Sequence, residues 1–398
     1  MEVPTLDDLD PAGRRLGVRV DVNSPMSGAA LADDARLRAH LDTLAELTDA
    51  GGRVVLLAHQ GRPGGDAFAE LAPHAARFDE LLDAPVGYVD GTFCRAARER
   101  VEALDDGEVL VLENTRFYSE ELLEFTPERA AETFLVSRLA PVLDAFVNDA
   151  FAAAHRSQPS LVGFSAVLPA YAGRVMEREL EVLGTIDETA RPRVYVLGGA
   201  KVEDSLHVAE CVLDRGLADE VLAIGLVGNL FLAASGVDLG EGSDEALDGR
   251  VPHDGLDRAA ALLESFPDDI HVPTDVAVER EGERVDLPVG DLPVAPPAWD
   301  IGPATAEAFA ATIESADTVI LNGPAGVAER DAFAAGTRTV FEAALRANTS
   351  IIGGGDTAAA LRRLGLSGFS HVSTGGGSAM SMLAGDPLPA VEALRHAR

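Results

Sequence analysis

Positive charge is scarce in this chain of 398 residues: 32 lysines and arginines face 66 aspartates and glutamates, leaving a formal charge of −34 at pH 7. Such a surface repels the phosphate backbone of DNA and RNA and anionic membranes alike, so nucleic-acid and membrane partners are not expected. Cysteine is nearly missing too. Cys94 and Cys211 lie far apart, with no CxxC and no Cys/His cluster around them, which argues against a disulfide framework or a zinc site and predicts two buried free thiols. No uninterrupted apolar run of about 18 residues occurs, and the first thirty residues lack a basic stretch followed by an apolar one, so neither a membrane span nor a secretory signal is indicated. A cytoplasmic protein is the expectation, a monomer with a dimer as the alternative. Self-repulsion on this scale loosens a compact state unless salt screens it, and at roughly 1 M salt the Debye length falls to about 3 Å. The composition therefore suits a halophilic, salt-rich interior. Lysine is the last near-absence: Lys201 is the only one, every other basic side chain being arginine, and it is expected to do something arginine cannot.

Apolar residues make up 47% of the chain, and its length exceeds what a single hydrophobic core serves, which predicts two domains. Short β-branched runs alternate with longer helical patterns throughout, the signature of parallel sheets with crossover helices. The expected class is α/β, with two similar three-layer domains joined by a hinge helix. Candidate strands are Val18–Val22, Val54–Ala58, Val109–Leu112, Ala145–Asn148, Val194–Leu197, Val221–Ile224, Thr318–Leu321 and Ser350–Ile352. Leu37, Leu41, Leu44 and Leu47 predict one helix, capped by Asp33 or Asp34 and stopped by Gly51-Gly52. The helical stretch 171–184 separates a half with clustered arginines from a half with clustered glycines and is the expected hinge, between domains at 1–170 and 185–382.

Ligands of open α/β sheets collect beyond the carboxyl ends of strands. In the first half those places carry cations. Asp21 and Asn23 share one strand face in RVDVNSP; HQGRPGG holds His59, Gln60, Gly61 and Arg62; Arg116 follows in LENTRF; His155 and Arg156 end VNDAFAAAHR; Arg36 starts the first helix. Any one of these arginines would ordinarily be a surface ion pair. Together, at matching strand ends of a strongly acidic chain, their planar forks suit a phosphorylated acid.

In the second half the strand ends carry glycine instead, in LGGAKVEDS (197–205), LNGPAGVAE (321–329), IIGGGDTAAA (351–360) and HVSTGGGSAM (371–380). Glycine allows close backbone approach to phosphate oxygens, and a helix beginning near Asp356 or Thr357 offers free N–H groups there. Asp356 provides the hard oxygen a phosphate-bound Mg²⁺ needs, or simply a helix cap. Glu329 can accept hydrogen bonds from ribose, or is a solvated loop acid. Lys201 can meet a phosphate as a point charge. Neither GxxxxGK[ST] nor GxGxxG with a following acidic residue is present, which weighs against a P-loop protein and an NAD-dependent dehydrogenase.

In this order, RVDVNSP, DDARLR, HQGRPGG, VLENTRF, VNDAFAAAHR, GGAKVEDS, NGPAGVAE, GGGDTAAA and FSHVSTGGGSAM resemble the blocks of the phosphoglycerate kinases over nearly the whole chain. The resemblance implies phosphoryl transfer between ATP and the carboxylate of 3-phosphoglycerate. It implies that Asp21, Asn23, Arg36, His59, Gln60, Gly61, Arg62, Arg116 and Arg156 hold the acid, and that Lys201, Glu329, Gly354, Gly355, Asp356 and Thr357 hold the nucleotide, with Mg²⁺ on Asp356. Arg36, Lys201, Gly354 and Gly376 are the implied catalytic positions, and residues 383–398 are implied to fold back onto the first domain. Ser205 stands where most members of that family carry a second lysine. A non-catalytic nucleotide-binding protein on the same scaffold is the alternative reading.

Overall fold

The computed structural model describes residues 3–397. Contacts divide the chain into one unit reaching Gly184 and resuming at Pro387, and a second unit from Thr185 to Asp386. Arg398, the end of the segment expected to fold back, lies outside the described residues.

Unit 1 is built on six parallel strands: β1 (Arg15–Arg19), β2 (Arg53–Leu57), β3 (Val86–Tyr88), β4 (Val109–Val111), β5 (Ala145–Asn148) and β6 (Ala170–Ala172), in the order β3-β4-β2-β1-β5-β6. Helices cover the sheet, so its central strands read as unbroken apolar runs, and Val18, Leu56 and Val147 have no exposed surface. The first strand lies three residues before its expected place. Its ladder pairs Arg15 with Arg53 and Arg19 with Leu57, and beyond that only Val20 N–H still reaches Leu57 O, at 3.1 Å. The apolar alternation of Val18, Val20 and Val22 continues past the ladder because these side chains remain in the core.

The first helix is broken in two, Ala35–Ala39 and Leu41–Asp49. The break falls at His40, whose ring is committed elsewhere: Nδ1 is 2.7 Å from Asp149 Oδ2, and Nε2 accepts the Asp21 N–H at 3.1 Å. At the start of the first piece the cap position is Asp34, whose side chain makes no cap bond, and Asp33 accepts from Ala35 N–H at 2.8 Å. Asp34 is bonded to Arg38 and Arg77 instead.

The helix expected over 171–184 begins at Arg174, since Tyr171 belongs to β6. It is tied into unit 1. Asp149 Oδ1 accepts from Val175 N–H at 2.8 Å and from Met176 N–H at 3.3 Å, and the Arg174 guanidinium pairs with Asp7, Glu46 and Glu177. A side chain at Gly173 would place its Cβ 2.2 Å from Asp149 Oδ1, so only glycine fits there. The C-terminal helix Pro389–Arg395 returns to this unit, with Ala390 N–H on Ala154 O at 3.1 Å, whereas residues 383–386 stay with unit 2.

Unit 2 repeats the layered plan. Strands β7 (Arg193–Leu197), β8 (Glu220–Ala223), β9 (Ile270–His271), β13 (Thr318–Asn322), β14 (Thr349–Gly353) and β15 (His371–Val372) form a parallel sheet in the order β9-β8-β7-β13-β14-β15. Between them, β10 (Asp275–Arg280), β11 (Glu283–Pro288) and β12 (Ala298–Ile301) form a small antiparallel sheet with β10 at its centre. Prolines and charges interrupt the alternation in this region, so the sequence pattern predicts none of these three strands. Cys94 is exposed and Cys211 half-buried, so the expectation of buried thiols fails. The Cys94 sulfur caps the helix Arg95–Glu102 by accepting from Ala97 N–H. No helix among the described residues is long and apolar enough to cross a membrane.

Candidate active site

In unit 1 the residues after β1, β2, β4 and β5 come together. Asp21 Oδ2 accepts from Arg36 Nη1 and Oδ1 from Asn23 N–H at 3.0 Å; Asn23 Oδ1 in turn accepts from Gly61 N–H at 2.8 Å. Arg116 Nη1 donates to Gly61 O at 2.6 Å, and Arg156 Nε to His155 Nε2 at 3.1 Å. Arg62 is exposed on the same loop. Gln60 is fully buried, its amide bonded to Ser24, Ala67 and His74, so its side chain braces this loop and offers a ligand nothing.

The cations crowd one another. Burial, and then the charges of Arg156, Arg19 and Arg62, bring Arg116 down to about 10, and burial followed by Arg62 lowers Arg156. Like charges held close by the fold form a site whose field is relieved by an anion. Asp21 is the counter-charge within it. Burial raises its pKa, but Arg36, then His59, the Asn23 N–H and Arg19 together outweigh that and leave it at about 2.

Arg19 has only 2% of its surface exposed and lies beneath this cradle. Its Nη2 is 2.9 Å from His59 Nδ1, and its Nε donates to Ser160 Oγ, which donates to the buried Glu121 at 2.6 Å. A guanidinium can only donate, so Nδ1 of His59 is the acceptor and Nε2 carries the proton. Burial and then the Arg19 charge hold His59 well below its ordinary pKa, so the ring is a neutral donor through Nε2.

In unit 2 the glycine turns converge. Lys201 precedes the helix Val202–Asp214, and a Cβ built on Gly376 would stand 3.4 Å from Lys201 Nζ, 3.3 Å from Gly354 Cα and 3.5 Å from Gly355 N. Gly354, with φ +96°, opens the helix Gly355–Leu364. Thr357 is buried and its Oγ1 accepts the Gly323 N–H at 2.8 Å, joining two of these turns. Ser205 is buried as well, its hydroxyl 3.5 Å from Gly198 O. Next to the turns lies a cavity of about 400 Å³, lined by Gly199, Ala200, Gly326, Glu329 and Asp356 and by Leu226, Asn229, Val276, Trp299, Ile301 and Val327. Asp356 and Glu329 are both exposed.

A profile of the family described as phosphoglycerate kinase matches residues 6–386. The chain belongs to the phosphoglycerate kinase family. It is 60% identical to the phosphoglycerate kinase of Natronomonas pharaonis over 396 residues, covering 99% of this chain and 100% of that protein. It is 59% identical to that of Halobacterium salinarum over 398 residues, with the same coverage. The crystal structure of phosphoglycerate kinase from Pyrococcus horikoshii superposes with a TM-score of 0.93 at 42% identity, covering 98% of each chain. The two α/β units are thus the phosphoglycerate kinase fold.

The buried partners leave little mark in the sequence. Arg19 lies only two residues before Asp21, and the one signal it gives is a charge at the end of β1 next to the buried Val18. His40 and Asp149, which meet across 109 residues, gave none. Trp299 lines the cavity from β12, a strand that the sequence pattern does not predict.

Proposed function

We propose that this phosphoglycerate kinase family member transfers a phosphoryl group reversibly between ATP and the carboxylate of 3-phosphoglycerate, with ADP and 1,3-bisphosphoglycerate as the other pair. The observation carrying this reading is the crowded guanidinium cradle around Asp21 in one unit, on a chain matched over nearly its full length to the family. In this reading Arg36, Arg62, Arg116 and Arg156 hold the two acidic groups, and Asn23, Gly61 and neutral His59 complete the hydrogen bonding. Lys201, Gly354, Gly355 and Gly376 face the phosphates, while Glu329 takes the ribose.

The attacking group is a carboxylate, already ionised at neutral pH with a pKa of about 4, so no general base is required. What the protein must supply is alignment of two anions and stabilisation of charge on the transferring phosphoryl. Arg36 and Lys201 are the cations proposed for that charge, with Gly354 and Gly376 allowing close backbone approach. Lys201 carries the greater share because Ser205 brings no second ammonium.

No cluster of three or more His, Cys, Asp or Glu suited to a metal occurs among the described residues. One exposed carboxylate beside a polyphosphate pocket does fit Mg²⁺, which keeps its waters and is bound largely by substrate phosphates. Asp356 would hold it, and the ion would neutralise phosphate charge. The chain 171–184 is proposed as the hinge, and the cytoplasm as the location. We also propose adaptation to high salt, supported by the charge of −34 and by relatives from halophilic archaea.

A coupled assay with Mg-ATP and 3-phosphoglycerate across a potassium chloride series tests the reading. Turnover that rises towards molar salt supports it. Nucleotide binding without turnover at any salt would support the non-catalytic alternative, which nothing in the comparisons favours.

A further inference from the structure

His40 is buried and hydrogen-bonded through both ring nitrogens, yet it has no part in the chemistry proposed above. We propose that it is a positioning residue: through Nε2 it holds the backbone of Asp21, and so keeps the Asp21–Arg36 pair aligned for the transferring phosphoryl group. The proposal rests on the kinase reading of the cradle and adds the residue that sets it.

Arg36 and His40 stand four residues apart, one helical turn, and so share a face. The Arg36 guanidinium takes the Asp21 carboxylate through Oδ2, and the His40 ring takes the backbone of the same residue, with Nε2 3.1 Å from its N and 3.2 Å from its O. One residue is thus gripped twice from one side, and the helix is broken at the second grip. The ring is also fixed from behind. Its Nδ1 lies 2.7 Å from Oδ2 of Asp149, which has no exposed surface. Asp149 is itself tied down, since its N–H donates to Arg19 O at 2.8 Å and its Oδ1 accepts from Val175 N–H and Met176 N–H at the start of the helix Arg174–Gly184. A carboxylate can only accept, so Nδ1 carries the ring proton and Nε2 is left to accept the Asp21 N–H. That is the opposite tautomer from His59.

A ring bonded on both sides adds stability wherever it lies. What points to the cradle is the destination of the second bond. Asp21 holds Arg36 through one oxygen and the Asn23 N–H through the other, so any shift of its backbone is carried straight into Arg36. A displacement of about 1 Å in a positioning contact costs up to about 100-fold in rate. Arg62, Arg116 and Arg156, which the reading gives to the acid as well, make no bond to His40, so the loss should fall on turnover more than on acid binding.

Asparagine and glutamine separate the two bonds. The amide of asparagine reaches the place of Nδ1 and that of glutamine the place of Nε2, so His40→Asn keeps Asp149 and gives up Asp21, and His40→Gln does the reverse. Each forfeits one buried bond, and thermal unfolding should find both lowered to a similar extent. His40→Asn should lower kcat by roughly 10- to 100-fold, with an unchanged nucleotide KM and a smaller effect on the KM for 3-phosphoglycerate. His40→Gln should keep most of the native kcat. Equal losses of kcat in the two variants, or losses that simply follow their Tm, would overturn the proposal. The unaltered protein decides the matter if neither variant folds: ¹⁵N spectra should show His40 as the Nδ1–H tautomer, and saturating 3-phosphoglycerate should shift its Nε2 resonance where MgADP alone does not. A resonance indifferent to the acid would equally sink it. An unaltered protein that turns nothing over would instead remove the kinase reading, and the His40 tautomer would stand.

Discussion

Asp21→Asn separates the electrostatic content of the cradle from its shape, since the two side chains are nearly isosteric. The native carboxylate is bonded to Arg36 and to the Asn23 N–H, and its pKa falls from an ordinary 3.8 to about 2. At 1.36 kcal/mol per tenfold change in ionisation, that difference is on the order of 2 kcal/mol of stability at neutral pH. Because folding lowers this pKa, the contribution is fully present above the unfolded value of 3.8 and is lost as pH falls through it towards about 2. Denaturant unfolding in molar potassium chloride at pH 7 should therefore find the variant weaker by about 2 kcal/mol, and by pH 3 roughly half of the gap should have closed. The pair is buried on the Asp21 side, at 6% exposure, so the gap should persist from 1 to 3 M salt, where a surface pair would be screened out. A variant as stable as the native protein, or a gap unmoved at pH 3, would refute the reasoning.

Arg156→Ala should lower kcat/KM for 3-phosphoglycerate by several powers of ten while steady-state kinetics give an unchanged nucleotide KM. A collapse of nucleotide affinity would reverse the proposed division between the units. Lys201→Arg keeps the charge but not the compact ammonium, and should abolish most turnover with nucleotide binding retained in calorimetry. Gly376→Ala would press a methyl to within 3.4 Å of Lys201 Nζ and 3.3 Å of Gly354 Cα, and kcat should fall more than KM. Burial and Arg19 already hold His59 neutral, so ¹⁵N spectra should find it as the Nε2–H tautomer from pH 5.5 to 8, with no His59 limb in the pH–rate profile. Arg19→Gln should move His59 upward and bring such a limb into view.

The loops after the strands were legible because their chemistry is local. HQGRPGG and GGGDT each place glycine and a charge within a few residues of a strand end, and both lie where that rule puts them. Strand and helix limits were less so. The apolar alternation of Val18–Val22 gives burial but not where the ladder stops, and the leucines of 37–47 give the buried face but not the break at His40. What the sequence could not convey is the set of buried polar contacts. Arg19 with His59 and Ser160, and His40 with Asp149, join residues far apart in the chain, and no periodicity records which buried donor meets which acceptor. The prolines at 293, 296 and 297 likewise hid the small sheet that carries Trp299.

The central claim is that a carboxylate, held by arginines and needing no base, takes the phosphoryl group. Mixing the protein with Mg-ATP and 3-phosphoglycerate in molar potassium chloride and trapping the product with hydroxylamine tests it directly, because an acyl phosphate yields a hydroxamate. One hydroxamate per ADP formed is the expected result. ADP and free phosphate appearing without hydroxamate would contradict the account.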